Sequence, residues 1–363
     1  MDVNLLISKE SLKDIFLILK DNYDLIAPVY KDGIVTYSQV DRFDQIASGK
    51  KDVQNSRYYR IDDSSYFFSI SKPVNSLKNF LHPPEFDILT VKKKNGKLEF
   101  IYEKSEKRYA FFGVPPCDLN ALSILDDVFI NKNDHPDIYY RSIRENIFVL
   151  SYTCINPVDT CFCTSFGYRP FPEKNFDISI TELKDHFLVN VGSEKGMDLM
   201  KNIPHRKAED KDLKEKERII RSTEEKIKNR IDTDGLPDIL YTKIDSDFWD
   251  KFNKTCLACT SCTQVCPTCF CFDIVEENDL VSMSSTRKAV WDSCFNPSFA
   301  TVHRFNVRGS VASRYRQWLM HKFAYWTDQF GTFGCVGCGR CITWCPSGID
   351  IRNEINLLRE NDV

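Results

Sequence analysis

Apolar residues recur at two different spacings along the first part of the chain. Between Ser11 and Asp21 they follow the spacing of a helix, at Leu12, Ile15, Phe16, Ile18 and Leu19. The segments YDLIAPVY, GIVTYSQV and SSYFFSISKP are predicted strands, and FDILTVKKKNGKLEFIYE is a predicted hairpin that turns at Asn95-Gly96. This mixture predicts an α/β domain over residues 1–200.

The next segments change character. The apolar strand FFGV leads through a Pro-Pro turn into a helix that begins near Cys117, with Asp118 as its predicted cap, and ENIFVLSYTC is a further strand. Residues 201–247 carry alternating acids and bases with few apolar positions, which predicts a solvated helical connector. Residues 248–363 form the last predicted domain. Its helix ASRYRQWLMHKFAYW places Tyr315, Leu319, Phe323 and Trp326 on one side, and IDIRNEINLLREN is a final short helix.

Composition narrows the class of protein. The chain has 363 residues, 42% hydrophobic and 28% charged, with a net charge of -3, so it gives no reason to expect nucleic acid or an anionic membrane as partner. No signal pattern and no bilayer-spanning apolar run is present in the sequence. Fifteen cysteines, an odd number, indicate metal ligation in a reducing cytoplasm rather than a disulfide framework.

The strongest motif is a cysteine run that occurs twice. Both copies read C-x2-C-x2-C-x3-C-P, the run of bacterial 4Fe–4S ferredoxins, in which the fourth cysteine ligates the other cluster. The crossed assignment gives cluster 1 the ligands Cys256, Cys259, Cys262 and Cys345. It gives cluster 2 the ligands Cys335, Cys338, Cys341 and Cys266. Two complete runs oversupply a tetrahedral zinc site, so the sequence predicts two 4Fe–4S clusters.

Four further cysteines lie at or just beyond strand ends, where sites collect in α/β sheets: Cys117, Cys154, Cys161 and Cys163. The thiolate of Cys117 is favoured by its place at a helix N-terminus. Three interpretations stay open for this set: a third 4Fe–4S cluster, a zinc site, or structural thiols. Cys269, Cys271 and Cys294 lie in the 68-residue insertion between the two runs. They are interpreted as structural, as groups that tune or shield a cluster, or as ligands that act with a thiolate from elsewhere in the chain.

The fold class predicted from these elements is α+β. A mixed α/β N-terminal domain is followed by a C-terminal two-cluster 4Fe–4S ferredoxin-like domain with a long helical insertion. The sequence contains no G-x-G-x-x-G, no P-loop and no cysteine set for nickel–iron or sirohaem chemistry. No catalytic residue is assigned, and the chain is predicted to carry electrons without turning over a substrate itself.

Several stretches resemble the iron–sulfur beta subunits of cytosolic nickel–iron hydrogenases, the sulfhydrogenases. They are GVPPCDLNALSILD, CPTCFCFD, VWDSCFNPSF and FGCVGCGRCITWCPSGIDIR, and the resemblance covers most of the chain. The chain is also similar to the A subunit of anaerobic sulfite reductase, which is the alternative. The resemblance includes the four N-terminal cysteines. It implies a cytoplasmic hetero-oligomer in which this chain relays electrons between a flavin/NAD(P)H-binding subunit and the hydrogenase small and large subunits.

Overall fold

The structure is a computed structural model that describes residues 3–360. Within that range sixteen strands are present: β1 (Val3–Ser8), β2 (Asp24–Lys31), β3 (Ile34–Gln39), β4 (Lys50–Asn55), β5 (Tyr58–Asp63), β6 (Glu85–Lys94), β7 (Lys97–Tyr102), β8 (Tyr109–Val114), β9 (Phe148–Tyr152), β10 (Ile178–Glu182), β11 (His186–Val191), β12 (Arg206–Lys207), β13 (Phe272–Asp279), β14 (Ser284–Trp291), β15 (Thr301–Val302) and β16 (Phe305–Asn306).

The same range contains thirteen α-helices: α1 (Ser11–Asn22), α2 (Lys78–Leu81), α3 (Pro116–Asp126), α4 (Ile138–Arg144), α5 (Glu194–Met200), α6 (Asp210–Lys226), α7 (Leu236–Thr242), α8 (Phe252–Thr255), α9 (Ser261–Gln264), α10 (Val311–Met320), α11 (Trp326–Phe330), α12 (Arg340–Thr343) and α13 (Ile351–Glu360). Two π-helical turns, Asp127–Asn131 and His321–Tyr325, extend α3 and α10. The prediction of a mixed fold is confirmed. No helix in the described range is long and apolar enough to cross a membrane.

The largest sheet has eight strands in the order β12-β1-β11-β10-β9-β8-β2-β3. Its centre, β2, β8, β9 and β10, is parallel, and the outer pairs are antiparallel. Strands β8 and β9 are buried at every position, as expected for central strands covered on both faces. Helix α1 packs on one face, and α3 and α4 pack on the other. The carboxyl ends of β8 and β9 therefore lie side by side.

A second sheet joins distant parts of the chain. Its order is β13-β14-β6-β7, all antiparallel, so the hairpin β13–β14 of the insertion pairs with the earlier hairpin β6–β7. Thr90 lies opposite Thr286, and their hydroxyls are 3.3 Å apart across 196 residues of sequence. The insertion is thus helical only in its second part, from Val311 to Phe330. Its first part is extended because the edge of β6 offers it a hydrogen-bonding partner.

Local predictions in the first 110 residues have two outcomes. The turn at Asn95-Gly96 is confirmed, with both residues at positive φ (52° and 78°), the conformation of a type I′ hairpin. The predicted strand SSYFFSISKP is wrong: it is irregular except for one bridge at Ser69. Its aromatic residues serve packing instead, since the Phe68 ring stacks on Tyr152 with ring centroids 5.0 Å apart.

The charged connector is helical as predicted in α6, but the helix is not solvated on all sides. Ile220 is 1% exposed, and Arg169 from the loop after β9 bonds both Glu217 and Glu224 on the helix. Helix α6 therefore packs against the N-terminal part. The domain limits predicted at residues 200 and 248 stay predictions.

The C-terminal part has its own hydrophobic core around the cysteine runs. Tyr315, Leu319 and Phe323 belong to it, as the predicted stripe requires. Trp326 belongs instead to the core under the large sheet. The π-helical turn His321–Tyr325 explains the difference, because its wider turn rotates all residues that follow it. The final helix is confirmed as α13.

Candidate iron–sulfur sites

The first cavity is lined by Cys256, Cys259, Cys262 and Cys345, the set predicted for cluster 1, and Cys341 also lines it. The loop between the first three cysteines turns through left-handed residues at Ala258 and Thr260. Backbone amides point at two of the sulfurs: the N–H of Ala258 donates to Cys256 Sγ at 3.4 Å, and that of Ile349 donates to Cys345 Sγ at 3.3 Å. The rest of the wall is largely apolar, with Phe295, Tyr315, Trp318, Ile349 and Ile351. Amide donors to sulfur and an apolar shell fit a thiolate-held iron–sulfur cluster.

The second cavity is lined by the set predicted for cluster 2, which is Cys266, Cys335, Cys338 and Cys341. The N–H of Gly337 donates to Cys335 Sγ at 3.4 Å. Cys266 follows the first cysteine run, whereas the other three belong to the second run. The chain therefore brings the fourth cysteine of each run to the cavity formed by the other run, which is the crossed arrangement expected from the motif.

The third cavity is lined by Cys117, Cys154, Cys161 and Cys163. Cys117 lies in the first turn of α3, which follows β8, and Cys154 follows β9, so the cavity lies at the carboxyl ends of two parallel strands. Cys338 of the second run also lines it. The structure thus brings together all four N-terminal cysteines that the sequence singled out.

The protonation of Cys117 departs from the expectation based on its helix. Burial, reinforced by the neighbouring Asp118 carboxylate, raises the pKa of the Cys117 thiol well above its usual range. Burial similarly raises the pKa of Cys262 and Cys341 well above the usual range. At Cys117, desolvation thus outweighs the stabilisation of the thiolate by the helix dipole. A thiolate in these cavities requires adjacent positive charge, which the iron ions of a bound cluster would supply.

The prediction that Asp118 caps α3 is wrong, because Pro115 occupies the cap position. The Asp118 carboxylate instead makes two hydrogen bonds with Arg340, at 2.7 and 3.0 Å, and both side chains are 1% exposed. Arg340 lies between Cys338 and Cys341, and Asp118 follows Cys117. The buried ion pair therefore fixes the wall of the second cavity against that of the third.

Two glycines bring the same two loops into backbone contact. A Cβ on Gly339 would lie 2.0 Å from the carbonyl oxygen of Thr160, and one on Gly337 would lie 2.5 Å from the nitrogen of Cys163. The carbonyl of Gly337 also accepts a hydrogen bond from the N–H of Phe162 at 2.9 Å. Only glycine permits this approach, because both residues also have positive φ.

The three cavities are arranged in series. Cys341 lines both the first and the second cavity, and Cys338 lines both the second and the third. The second cavity is therefore the middle member. In the described range, no three or more His, Cys, Asp or Glu side chains form a site for a single metal ion.

The remaining cysteines lie beside the cavities. Cys269 hydrogen-bonds Cys266, and Cys271 hydrogen-bonds Cys294, which is 7% exposed. None of the three cysteines in the insertion lines a cavity described above.

Two lysines that contact ligand-set cysteines had no signal in the sequence. Lys72 lies within SSYFFSISKP, the irregular segment for which the sequence predicts a strand. The structure places Lys72 Nζ 3.5 Å from Cys161 Sγ and Lys322 Nζ 3.3 Å from Cys266 Sγ. A π-helical turn, which periodicity does not reveal, directs Lys322 inward.

Comparison with known proteins agrees with this geometry. Residues 255–349 match the family described as 4Fe-4S dicluster domain, which confirms the prediction of two 4Fe–4S clusters in the C-terminal part. The chain is 32% identical over 317 residues to sulfhydrogenase 2 subunit beta of Pyrococcus furiosus, an alignment that covers 85% of this chain and 91% of that relative. No solved structure matches the chain. With an iron–sulfur electron-transfer role supported by both matches, the chain belongs to the sulfhydrogenase beta subunit family.

Proposed function

We propose that this chain is the relay subunit of a cytoplasmic hydrogenase/sulfur reductase complex and that it holds three 4Fe–4S clusters. The observation that carries the proposal is the series of three cavities, each lined by a four-cysteine set. Neighbouring cavities in the series have one lining cysteine in common. A 4Fe–4S cluster takes up and releases one electron at a time. The chain's part is to hold the thiolates, exclude water and keep neighbouring sites close.

Support for a cluster in the third cavity comes from its position and its donors. Four cysteines from three separate segments meet there, although nothing in their sequence spacing requires it. The close contact of Gly337 with Cys163 and the ion pair between Asp118 and Arg340 hold this cavity against the second one. A purely structural set of thiols would not need to adjoin a ligand of another cluster.

The partners follow from the family. The relative is named as a beta subunit of a sulfhydrogenase, which favours the hydrogenase branch over the sulfite reductase alternative. We propose a hetero-oligomer with a flavin/NAD(P)H-binding subunit and the hydrogenase small and large subunits. No catalytic group is assigned to this chain, so substrate turnover is the task of the partners.

The first cavity forms one end of the series and lies beside exposed side chains. Cys259 is exposed, and its neighbour Leu257 is 67% exposed although it is apolar. An apolar side chain beside a redox site is suited to a docking contact, since electron transfer requires close approach and exclusion of water. We propose that one electron partner docks on the loop Cys256–Ser261.

Metal content tests the number of clusters. Iron, acid-labile sulfide and zinc are measured per chain in this polypeptide, purified anaerobically and separated from its partner subunits. We expect about twelve iron and twelve sulfide, and about eight of each in Cys161→Ala, since each cubane holds about four. Cys294→Ala, a buried cysteine outside the cavities, is the matched control and keeps about twelve. About eight iron in the unmodified chain, with or without one zinc, would overturn the third cluster.

Electron flow tests the relay. Cys338→Ala removes a cysteine shared by the second and third cavities, so we expect it to abolish NAD(P)H-linked hydrogen turnover. Dye-linked hydrogen activity in the partner hydrogenase subunits should persist, because dyes exchange electrons there directly. Intact NAD(P)H-linked turnover in this variant would contradict the assignment.

A further inference from the structure

Two lysines of this chain are buried against cysteines of the cavities. Lys322 is 4% exposed, and its Nζ lies 3.3 Å from Cys266 Sγ in the second cavity. Lys72 is 1% exposed, and its Nζ lies 3.5 Å from Cys161 Sγ in the third cavity. Each ammonium also reaches a threonine hydroxyl, Thr268 at 3.3 Å and Thr160 at 3.4 Å.

Neither ammonium is in ion-pair contact with a carboxylate, although the buried Asp52 carboxylate is near enough to Lys72 to act on it electrostatically. Within residues 3–360, no Asp or Glu oxygen lies within 4.0 Å of the Nζ of Lys72 or Lys322. The remaining acceptor of Lys322 is the carbonyl oxygen of Gly334, at 3.1 Å. A buried ammonium with neutral acceptors alone is strongly unfavourable, so an anion is expected beside it. Four thiolates with their iron–sulfur core carry net negative charge, and the ligand sulfur is the atom that each lysine touches.

The backbone that presents Lys322 is specialised. The residue lies in the π-helical turn His321–Tyr325, which interrupts a helix whose aromatic residues pack around the cavities. Such turns are frequent at functional sites because they redirect a side chain out of the regular helical register. Lys72 is presented by an irregular segment whose next residue, Pro73, accepts a hydrogen bond from Arg340 Nε at 2.8 Å. Both lysines are thereby held in place by the elements that join the cavities.

We propose that Lys322 and Lys72 set the reduction potentials of the clusters in the second and third cavities by donating hydrogen bonds to the sulfurs of Cys266 and Cys161. This inference rests on the proposed function, because it requires that both cavities hold clusters. One-electron reduction adds negative charge to a cluster. A nearby cationic donor stabilises the reduced form more than the oxidised form and so raises the potential.

The first cavity differs in this respect. Among the described residues that line it, none is a lysine or an arginine. Its sulfur acceptors receive neutral backbone N–H groups at Cys256 and Cys345. The lysines therefore raise the reduction potentials of the clusters in the second and third cavities. The potential of the cluster in the first cavity depends instead on solvent exposure and backbone amide donors. The chain thus adjusts its sites individually.

The test is a redox titration of the anaerobically purified complex, followed by electron paramagnetic resonance. Lys322→Met keeps the length and apolar stem of the side chain but removes the donor and the charge. We expect the ratio of reduced to oxidised cluster in the second cavity to fall at least tenfold at fixed potential, a downward shift of 59 mV for one electron. Lys72→Met should shift the third cluster in the same way, and the signal lost in Cys161→Ala identifies that cluster.

Lys78→Met is the matched control. Lys78 is also buried, at 3%, but its Nζ contacts the carbonyl oxygens of Thr263 and Gln264 and lies 4.0 Å from the centroid of the Trp291 ring. We expect this variant to shift the second cluster less than Lys322→Met does. Equal shifts would show that only the local charge matters and would overturn the hydrogen-bond assignment.

Iron analysis separates failure of this inference from failure of the proposed function. A chain without iron in the third cavity would refute the third cluster and with it the role of Lys72. Full iron with unchanged midpoints in both lysine variants would refute the inference and leave the relay intact. If Lys322→Met does not retain its iron, Lys322→Leu, which also removes the donor and the charge, decides: a downward shift in this variant supports the proposal, and an unchanged midpoint overturns it.

Discussion

The buried pair of Asp118 and Arg340 makes a strong prediction about stability. Asp118→Leu leaves a guanidinium in the interior without its carboxylate, and Arg340→Met leaves a carboxylate without its guanidinium. Removing one partner of a buried ion pair typically destabilises a protein by about 3–5 kcal/mol. Because both side chains are 1% exposed, water does not compensate either charge.

The double variant should be less damaging than Arg340→Met alone. Replacing both partners by apolar groups leaves no uncompensated charge, and such exchanges are often close to neutral. Two carbonyl oxygens would still lose a donor, since Arg340 also bonds Pro73 at 2.8 Å and Asn75 at 3.2 Å. Those losses amount to about 1–3 kcal/mol. We therefore expect a coupling energy of about 3 kcal/mol or more between the two positions.

Urea unfolding of the anaerobic, iron-loaded chain measures this, with tryptophan fluorescence and iron release as two readouts. With a slope of about 3 kcal/mol per molar urea, a loss of about 4 kcal/mol lowers the midpoint by about 1.3 M. The exposed pair of Arg141 and Glu145, 54% and 59% exposed, is the control, and its removal should change stability by less than about 0.5 kcal/mol. A double variant that equals the sum of the two single variants would refute the reasoning.

Two other perturbations have equally direct outcomes. Gly339→Ala should lower the stability of the folded chain by about 1–3 kcal/mol more than Gly331→Ala and should release iron. Both glycines have positive φ, but only at Gly339 would a Cβ lie against the Thr160 carbonyl. Equal losses of stability in thermal scans of the two variants would contradict this. Burial lowers the pKa of His82 to about 4, and its Nδ1 accepts a hydrogen bond from Trp291. Between about pH 6.5 and 4 the unfolded chain therefore binds a proton that the folded chain does not. The free energy of unfolding should decrease by about 1.4 kcal/mol for each unit by which the pH is lowered in this range. His82→Phe should reduce this pH dependence of stability. An unchanged pH dependence would show that His82 is not its source.

The grouping of the motif cysteines into two ligand sets could be predicted from the sequence because it depends on local spacing. The crossed sets around the first and second cavities follow from two short runs, and the Asn95-Gly96 turn follows from two residues. The third set was recognised by its place at predicted strand ends. In that case the parallel pairing of β8 with β9, rather than spacing, brings the cysteines together.

What could not be predicted depends on contacts between distant segments. Asp118 was interpreted as a helix cap because its partner Arg340 is 222 residues away. The inward position of Lys322 could not be predicted because helical periodicity assumes a regular helix, and the π-helical turn departs from one. The alternation of apolar and polar residues in β13 and β14 is too weak to predict this hairpin. Its partner strand β6 lies in the other half of the chain.

That partnership between β6 and β14 has a consequence for biosynthesis. A ribosome releases residues 85–102 long before residues 272–291, so the early hairpin must wait with one edge unpaired until the later one emerges. The third cavity waits longer still, because Cys338 forms part of its wall. Iron delivered to a nascent chain would meet incomplete sites, and cluster insertion is therefore a step for the finished polypeptide. For the same reason the ferredoxin-like segment cannot be excised as a free electron carrier without exposing a strand edge to aggregation.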